Sequence, residues 1–124
     1  MQQLIPSLPV AESGNKKVQL LLGLMYDNGL SIKRNYSQAA YWYSHFAEQG
    51  YAGAQDKLGH YYETGTNTKE DLVQSHLWYS LAADAETKQS IIAKDRVTAN
   101  LSESQLQKSQ GLFVTWKNVF RSVI

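Results

Sequence analysis

The segment LGLMYDNG at residues 22–29 recurs in similar form as LGHYYETG at residues 58–65. The two copies lie 36 positions apart, and the same offset relates three further pairs: Trp42 and Trp78, Tyr43 and Tyr79, and Ala47 and Ala83. A fixed period of about 20 to 50 residues is typical of stacked structural repeats. The sequence therefore predicts a repeat protein, which more often presents a binding surface than a reaction pocket.

Glycine at the second position of both copies indicates close helix packing. A glycine inside a helix destabilises it by about 1 kcal/mol relative to alanine, so its recurrence predicts that a second helix approaches there. The tyrosines should fill gaps between helix pairs, with their hydroxyls reaching a partner or water. We assign structural roles to the positions that match across the units: Gly23, Tyr26, Gly29, Trp42, Tyr43, Ala47, Gly59, Tyr62, Gly65, Trp78, Tyr79 and Ala83.

Helical periodicity runs through the chain after Pro9, the last proline. The pattern predicts helices over residues 15–28, 36–49, 51–64, 72–84, 87–99 and 103–122. Side chains suited to helix capping precede several of them, each with glutamine three residues later: Asn35 with Gln38, Asp71 with Gln74, and Ser102 with Gln105. We predict an all-α fold, a short right-handed α-solenoid of antiparallel helix pairs with about six helices.

A chain of 124 residues is expected to form a single domain. We divide it into an N-terminal cap segment (1–14), a first repeat (15–50), a second repeat (51–86), and a degenerate third unit with a C-terminal capping helix (87–124). The cap segment carries both prolines, and its apolar residues are expected to cover the open end of the stack. These residues are Leu4, Ile5, Leu8 and Val10.

The last predicted helix has a broad apolar face. It consists of Leu106, Leu112, Phe113, Trp116, Val119, Phe120 and Val123. The favoured interpretation is a lid on the solenoid. The alternative is that part of this face pairs with a partner protein or with a second copy of the chain, giving a homodimer.

Composition argues against several classes of function. The 12 basic and 11 acidic residues nearly balance, so nucleic acid and anionic membrane are not expected as main ligands. The chain has no cysteine, which excludes disulfides and thiolate metal sites. No apolar run reaches the length of a signal peptide or a spanning helix. We therefore expect a cytoplasmic protein.

The three histidines do not predict a metal or catalytic site. His45, His60 and His76 lie on three different predicted helices, and no pair has the short spacing of a zinc site. No phosphate-binding loop, dinucleotide fingerprint or nucleophile elbow is present. The sequence predicts no enzyme activity, no cofactor and no bound metal.

The repeated pattern resembles the Sel-one-like repeat family, which is related to the tetratricopeptide repeats. The resemblance rests on the Leu-Gly-x-x-Tyr-x-x-Gly motif of each first helix and the Trp-Tyr and Ala of each second helix, over about residues 11–100. It implies a non-catalytic protein–protein interaction module, or adaptor, for an unidentified protein partner. The alternative that it implies is an immunity protein that binds and neutralises a secreted bacterial toxin.

Candidate contacts for the partner are positions where the two units differ and which are expected to face outward. The resemblance implies that the first helix of each unit lines the concave side of the stack. The candidates there are Leu20, Leu24, Asp56, His60 and Tyr61. For Leu20 and Leu24 the competing interpretation is that they pack beneath the N-terminal cap segment.

Overall fold

The computed structural model describes residues 16–85 and 87–122, and every regular element in these two ranges is a helix. We number the helices in chain order: α1 (Lys16–Asn28), α2 (Tyr36–Ala47), α3 (Ala52–Thr64), α4 (Leu72–Ala83), α5 (Lys88–Thr98) and α6 (Glu103–Ser122). The predicted boundaries agree with these to within two residues. The predicted N-terminal cap segment and Val123 lie outside the described residues.

The second helix of each unit begins at the predicted cap. The side chains of Asn35 and Asp71 accept hydrogen bonds from the backbone N–H of Gln38 and Gln74, at 3.1 and 3.0 Å. The reciprocal half of the predicted capping boxes is replaced by another contact. The backbone N–H of each cap residue donates to a tyrosine carbonyl of the preceding helix, at 2.9 Å in both units. Each cap therefore also fixes the angle between its two helices.

Glycine ends the first helix of both units. Gly29 and Gly65 have φ of +69° and +72°, a left-handed conformation that glycine adopts without steric penalty. At α6 the predicted capping box is complete. The Gln105 N–H donates to the Ser102 hydroxyl at 3.1 Å, and the Ser102 N–H donates to the Gln105 side chain at 2.9 Å.

Each helix from α1 to α4 packs on the next one in the chain, while α6 returns to pack on α4. Such nearest-neighbour packing makes the molecule an α-helical solenoid of repeats. The largest buried cluster consists of Phe46, Ala47, Ala54, Leu58, Leu77, Trp78 and Leu81. From α6 it is covered by Leu112, Phe113, Trp116 and Phe120. This part of the apolar face of α6 therefore packs on the core.

The glycine pair acts as the pattern predicted, but the close neighbour is a tyrosine ring. A Cβ atom on Gly23 would lie 3.2 Å from the Tyr43 ring, and one on Gly59 would lie 2.8 Å from the Tyr79 ring. Ser75 adds a hydrogen bond at the same contact, because its hydroxyl donates to the Gly59 carbonyl at 2.9 Å.

Among the described helices, none has both the length and the apolar character needed to cross a bilayer.

Candidate functional site

A groove lies between α3 and α5, two helices that are separated by α4 along the chain. It has a volume of about 630 Å³. Its walls and floor are formed by Asp56, Lys57, His60, Tyr79, Lys88, Gln89, Ile92, Ala93 and Arg96. This volume suits a few side chains of a partner rather than a whole domain. We refer to it below as the α3–α5 groove.

At one end of the groove, Asp56 joins its two walls. Its carboxylate accepts a hydrogen bond from the Ser90 hydroxyl at 2.9 Å and one from the Gln89 amide at 3.4 Å. Ser90 is buried, so its hydroxyl needs such an acceptor. This contact holds α5 against α3 and fixes the width of the groove.

At the other end, the carboxylate of Glu63 also holds α5 against α3. It accepts the Tyr79 hydroxyl at 2.8 Å and two N–H groups of Arg96 at 2.7 and 2.8 Å. The hydrogen bond from Arg96 is the main reason that the pKa of Glu63 lies below its usual value, although burial opposes the shift. Burial, followed by the hydrogen bond to Glu63, raises the pKa of Tyr79. The Glu63 carboxylate is therefore ionised at neutral pH, and both of its oxygens accept hydrogen bonds from within the fold.

The groove is also lined by two lysines, Lys57 and Lys88, and by the aliphatic side chain of Ile92. Within the described part of the chain, neither Lys57 nor Lys88 has a carboxylate within salt-bridge distance. His60 is exposed on the same wall as Lys57. Ile92 is 55% exposed, a large fraction for an aliphatic side chain beside a pocket.

Two of the five candidate contacts, Asp56 and His60, line this groove. Leu20 and Leu24 do not. Leu20 packs against the largest buried cluster, and Leu24 packs against the smaller cluster of Ala39, Tyr43 and Tyr61. Both leucines are half-buried and contribute to the core.

The prediction that Tyr61 faces outward is wrong, because its side chain is only 3% exposed. Its hydroxyl donates to Asp27 of α1, and the same carboxylate accepts the Tyr43 hydroxyl at 3.1 Å. The Tyr61 ring also meets the Tyr43 ring edge-on, with centroids 5.8 Å apart. Burial is the main cause of the raised pKa of Tyr61 and of Tyr43. The residue therefore joins two units and offers no surface.

A carboxylate at each unit junction was missed by the sequence analysis. Asp27 and Glu63 follow the two aligned tyrosines, Tyr26 and Tyr62, and so occupy equivalent positions. Each accepts the hydroxyl of the buried tyrosine of its own unit, and each also accepts a donor from the following unit. The acidic character shared by these two positions was the available signal. It was missed because the residues are similar rather than identical.

The other residues with predicted structural roles contribute to packing. The buried ones are Gly23, Trp42, Tyr43, Ala47, Gly59, Trp78 and Tyr79. Tyr26, Tyr62 and Ala83 are half-buried. The indole N–H groups of Trp42 and Trp78 are buried without a hydrogen-bond partner among the described residues. The large apolar surface of each ring offsets that unsatisfied donor.

The three histidines lie in different surroundings. His60 lines the α3–α5 groove, His45 lies exposed on α2, and His76 is buried against Ser109 of α6. Over residues 16–85 and 87–122, no three side chains of histidine, aspartate or glutamate are grouped to hold a metal ion.

Comparison with known proteins gives a family and a fold. The sequence profile of the Sel1 repeat matches residues 17–51 and 52–86. A protective antigen with an SLR fold from uropathogenic Escherichia coli superposes with a TM-score of 0.80 and 30% identity over 86% of this chain. A Sel1 repeat protein from Oxalobacter formigenes superposes with a TM-score of 0.67 and 33% identity over 82% of this chain.

The chain spans 23% of the length of the first of these proteins and 44% of the second. No curated protein matches its sequence. The two profile matches together cover more than half of the 124 residues, and the superpositions extend the likeness beyond them. The chain belongs to the Sel1 repeat family.

Proposed function

We propose that the chain is a non-catalytic protein–protein interaction module that binds a short segment of a partner protein in the α3–α5 groove. Membership of the Sel1 repeat family supports the class of function. The location rests on one observation. Ile92 is 55% exposed in a concave site whose rim is polar, and an apolar anchor within a polar rim is typical of protein-binding sites.

The hydrogen bonds at both ends of the groove support a binding role. Asp56 and Glu63 hold α5 at a fixed position on α3, so little ordering is required when a partner binds. Pre-formed sites lose less conformational entropy on binding and therefore bind more tightly. Both carboxylates are engaged as structural acceptors, which favours recognition over acid–base catalysis.

A toxin-neutralising role and a homodimer through α6 are the two alternative predictions from the sequence. Neutralisation of a toxin would use the same groove with one cognate partner. A homodimer through α6 would have only part of the apolar face, because Leu112, Phe113, Trp116 and Phe120 already pack on the core. These contacts favour the lid function of α6 and leave the groove as the preferred binding surface.

Site-specific photo-crosslinking tests the proposal. A photoreactive amino acid at position 92 should crosslink a partner in extracts of the native host. The same amino acid at position 91 should not, because Ile91 is also exposed, at 41%, but does not line the groove. The two positions are adjacent on one helix, so differences in folding or expression are minimised.

A substitution pair completes the test. Ile92→Glu should weaken binding of the crosslinked partner by about tenfold or more, as expected for loss of an interface anchor, and Ile91→Glu should leave it unchanged. Equal crosslinking from both positions, or equal affinity of both variants, would show that the partner does not bind in the groove.

A further inference from the structure

We infer that the α3–α5 groove recognises an acidic segment of the partner, in which glutamate or aspartate side chains flank one aliphatic residue. This inference rests on the proposed function and specifies its ligand. It follows from which charges of the groove are already paired within the fold and which are not.

The acidic groups of the groove are already engaged. Asp56 accepts from Ser90 and Gln89, and Glu63 accepts from Arg96 and Tyr79. A basic ligand would have to compete with these donors and would loosen the contact between α3 and α5. The groove is therefore poorly suited to a cationic segment.

Among the described residues, the two lysines of the groove have no salt-bridge partner. Lys57 projects from α3 and Lys88 from the start of α5, and the described residues place no carboxylate within 4.0 Å of either ammonium group. They lie on opposite walls, so a segment bound between them would meet a cation on each side. The net charge of the whole chain is only +1. The complementarity is therefore local and sets specificity more than long-range attraction.

Three lining residues supply the apolar part of the recognition. Ile92 and Ala93 come from α5, and the Tyr79 ring comes from α4. An aliphatic side chain bound there would remove the exposed surface of Ile92 from water, which favours binding. One aliphatic residue between acidic ones matches this arrangement of groups.

The test uses three short fluorescein-labelled peptides and the whole chain. In the first, glutamates flank a central leucine. The second has glutamine in place of each glutamate, and the third has lysine. Fluorescence anisotropy should show that the glutamate peptide binds about two- to thirtyfold more tightly than the glutamine peptide, as expected for two exposed ion pairs. The lysine peptide should be the weakest ligand, and added salt should reduce the preference for glutamate.

Charge reversal in the groove provides the second measurement. The double variant Lys57→Glu/Lys88→Glu should lose the preference for the glutamate peptide. The matched control is Lys33→Glu/Lys108→Glu, which makes the same change of net charge at two exposed lysines outside the groove. The control should bind as the unmodified chain does. Circular dichroism should show equal helicity for all three proteins.

The possible outcomes separate this inference from the proposed function. Equal affinity for the glutamate and glutamine peptides, with both lost in Ile92→Glu, would overturn the acidic preference and leave the groove as a peptide site. Equal effects of the two double variants would also overturn it. If no peptide binds while position 92 crosslinks a partner, the acidic segment is wrong and groove binding stands. If position 92 crosslinks nothing, the proposed function fails as well.

Discussion

Gly53 and Gly59 lie in the same helix, α3, but only Gly59 has a close neighbour. A Cβ atom on Gly59 would lie 2.8 Å from the Tyr79 ring, whereas a Cβ atom on Gly53 would have nothing within 4 Å. The Tyr79 ring cannot move away easily. It is 2% exposed, and its hydroxyl bonds to Glu63. One residue without a side chain thus sets the distance between α3 and α4.

We therefore expect Gly59→Ala to lower the free energy of unfolding by about 1 to 3 kcal/mol, since an added methyl group would overpack this contact. Gly53→Ala should leave the free energy of unfolding unchanged or raise it by up to about 1 kcal/mol, because alanine is the better helix former. Urea denaturation followed by circular dichroism measures both. Equal stabilities of the two variants would contradict the close contact at Gly59.

Asp27 is the second residue whose effect extends beyond its own helix. Its half-buried carboxylate accepts hydrogen bonds from the hydroxyl of Tyr43 in its own unit and from the hydroxyl of Tyr61 in the next. Hydrogen bonds to a charged acceptor are stronger than those between neutral groups. This single carboxylate therefore links α1, α2 and α3.

Asp27→Asn preserves the shape of the side chain and removes its charge, so we expect the free energy of unfolding to fall by about 1 to 2 kcal/mol. The control is Asp84→Asn, which removes an exposed ion pair with Lys117 and should cost less than about 1 kcal/mol. Thermal and urea unfolding of both variants would check this. A larger loss at Asp84 would mean that the junction carboxylate has little role in stability.

At the scale of the element, the attachment of α6 depends on α4. The Nδ1 atom of His76 lies 2.7 Å from the Ser109 hydroxyl and 3.4 Å from that of Ser80. Below this contact Trp78 packs on Trp116, with ring centroids 5.2 Å apart. The face of α6 that could have formed a homodimer is therefore mostly occupied within the chain.

Burial lowers the pKa of His76, and the nearby Lys94 adds to the effect. The unfolded chain takes up a proton near the ordinary value of 6.5, whereas the folded chain takes it up only at lower pH. The contribution of His76 to stability is therefore complete above about pH 6.5 and is lost as the pH falls below it. Asp95 also lines the pocket beside His76.

We expect the free energy of unfolding to decrease from about pH 7 to pH 5, and this decrease should be smaller in His76→Gln. His45→Gln, at an exposed histidine, should retain the pH dependence of the unmodified chain. Urea denaturation at a series of pH values measures the slopes. Hydrogen exchange should show that amides of α6 lose protection first. Equal slopes in the two variants would contradict the assignment to His76.

At the scale of the whole molecule, the helices and their order could be predicted because the signals are local. Asn35, Asp71 and Ser102 cap helices through backbone groups three residues away. Gly29 and Gly65 end helices through their own φ angles. Such interactions require no knowledge of distant residues, and the 36-residue period repeats them.

The binding groove could be predicted only in part. Asp56 and His60 were found because they differ between the units, but the opposite wall was missed because α5 departs from the repeat pattern. The positions of Lys88, Ile92 and Arg96 in the groove depend on how α5 lies across α3. That arrangement is fixed by contacts between residues about 33 positions apart, such as Glu63 with Arg96.

The sequence was sufficient to predict the family, the helices and the glycine and aromatic residues packed within each helix pair, because repetition displays those local requirements twice. Which variable residues form a surface could be seen only in the folded chain. In the folded chain Tyr61 lies in the interior, and Lys57 and Lys88 line the same groove. The physical reason is that exposure depends on the packing of successive units. Contacts such as the hydrogen bond between Tyr61 and Asp27 connect residues that are far apart in the chain and form no recognisable sequence motif.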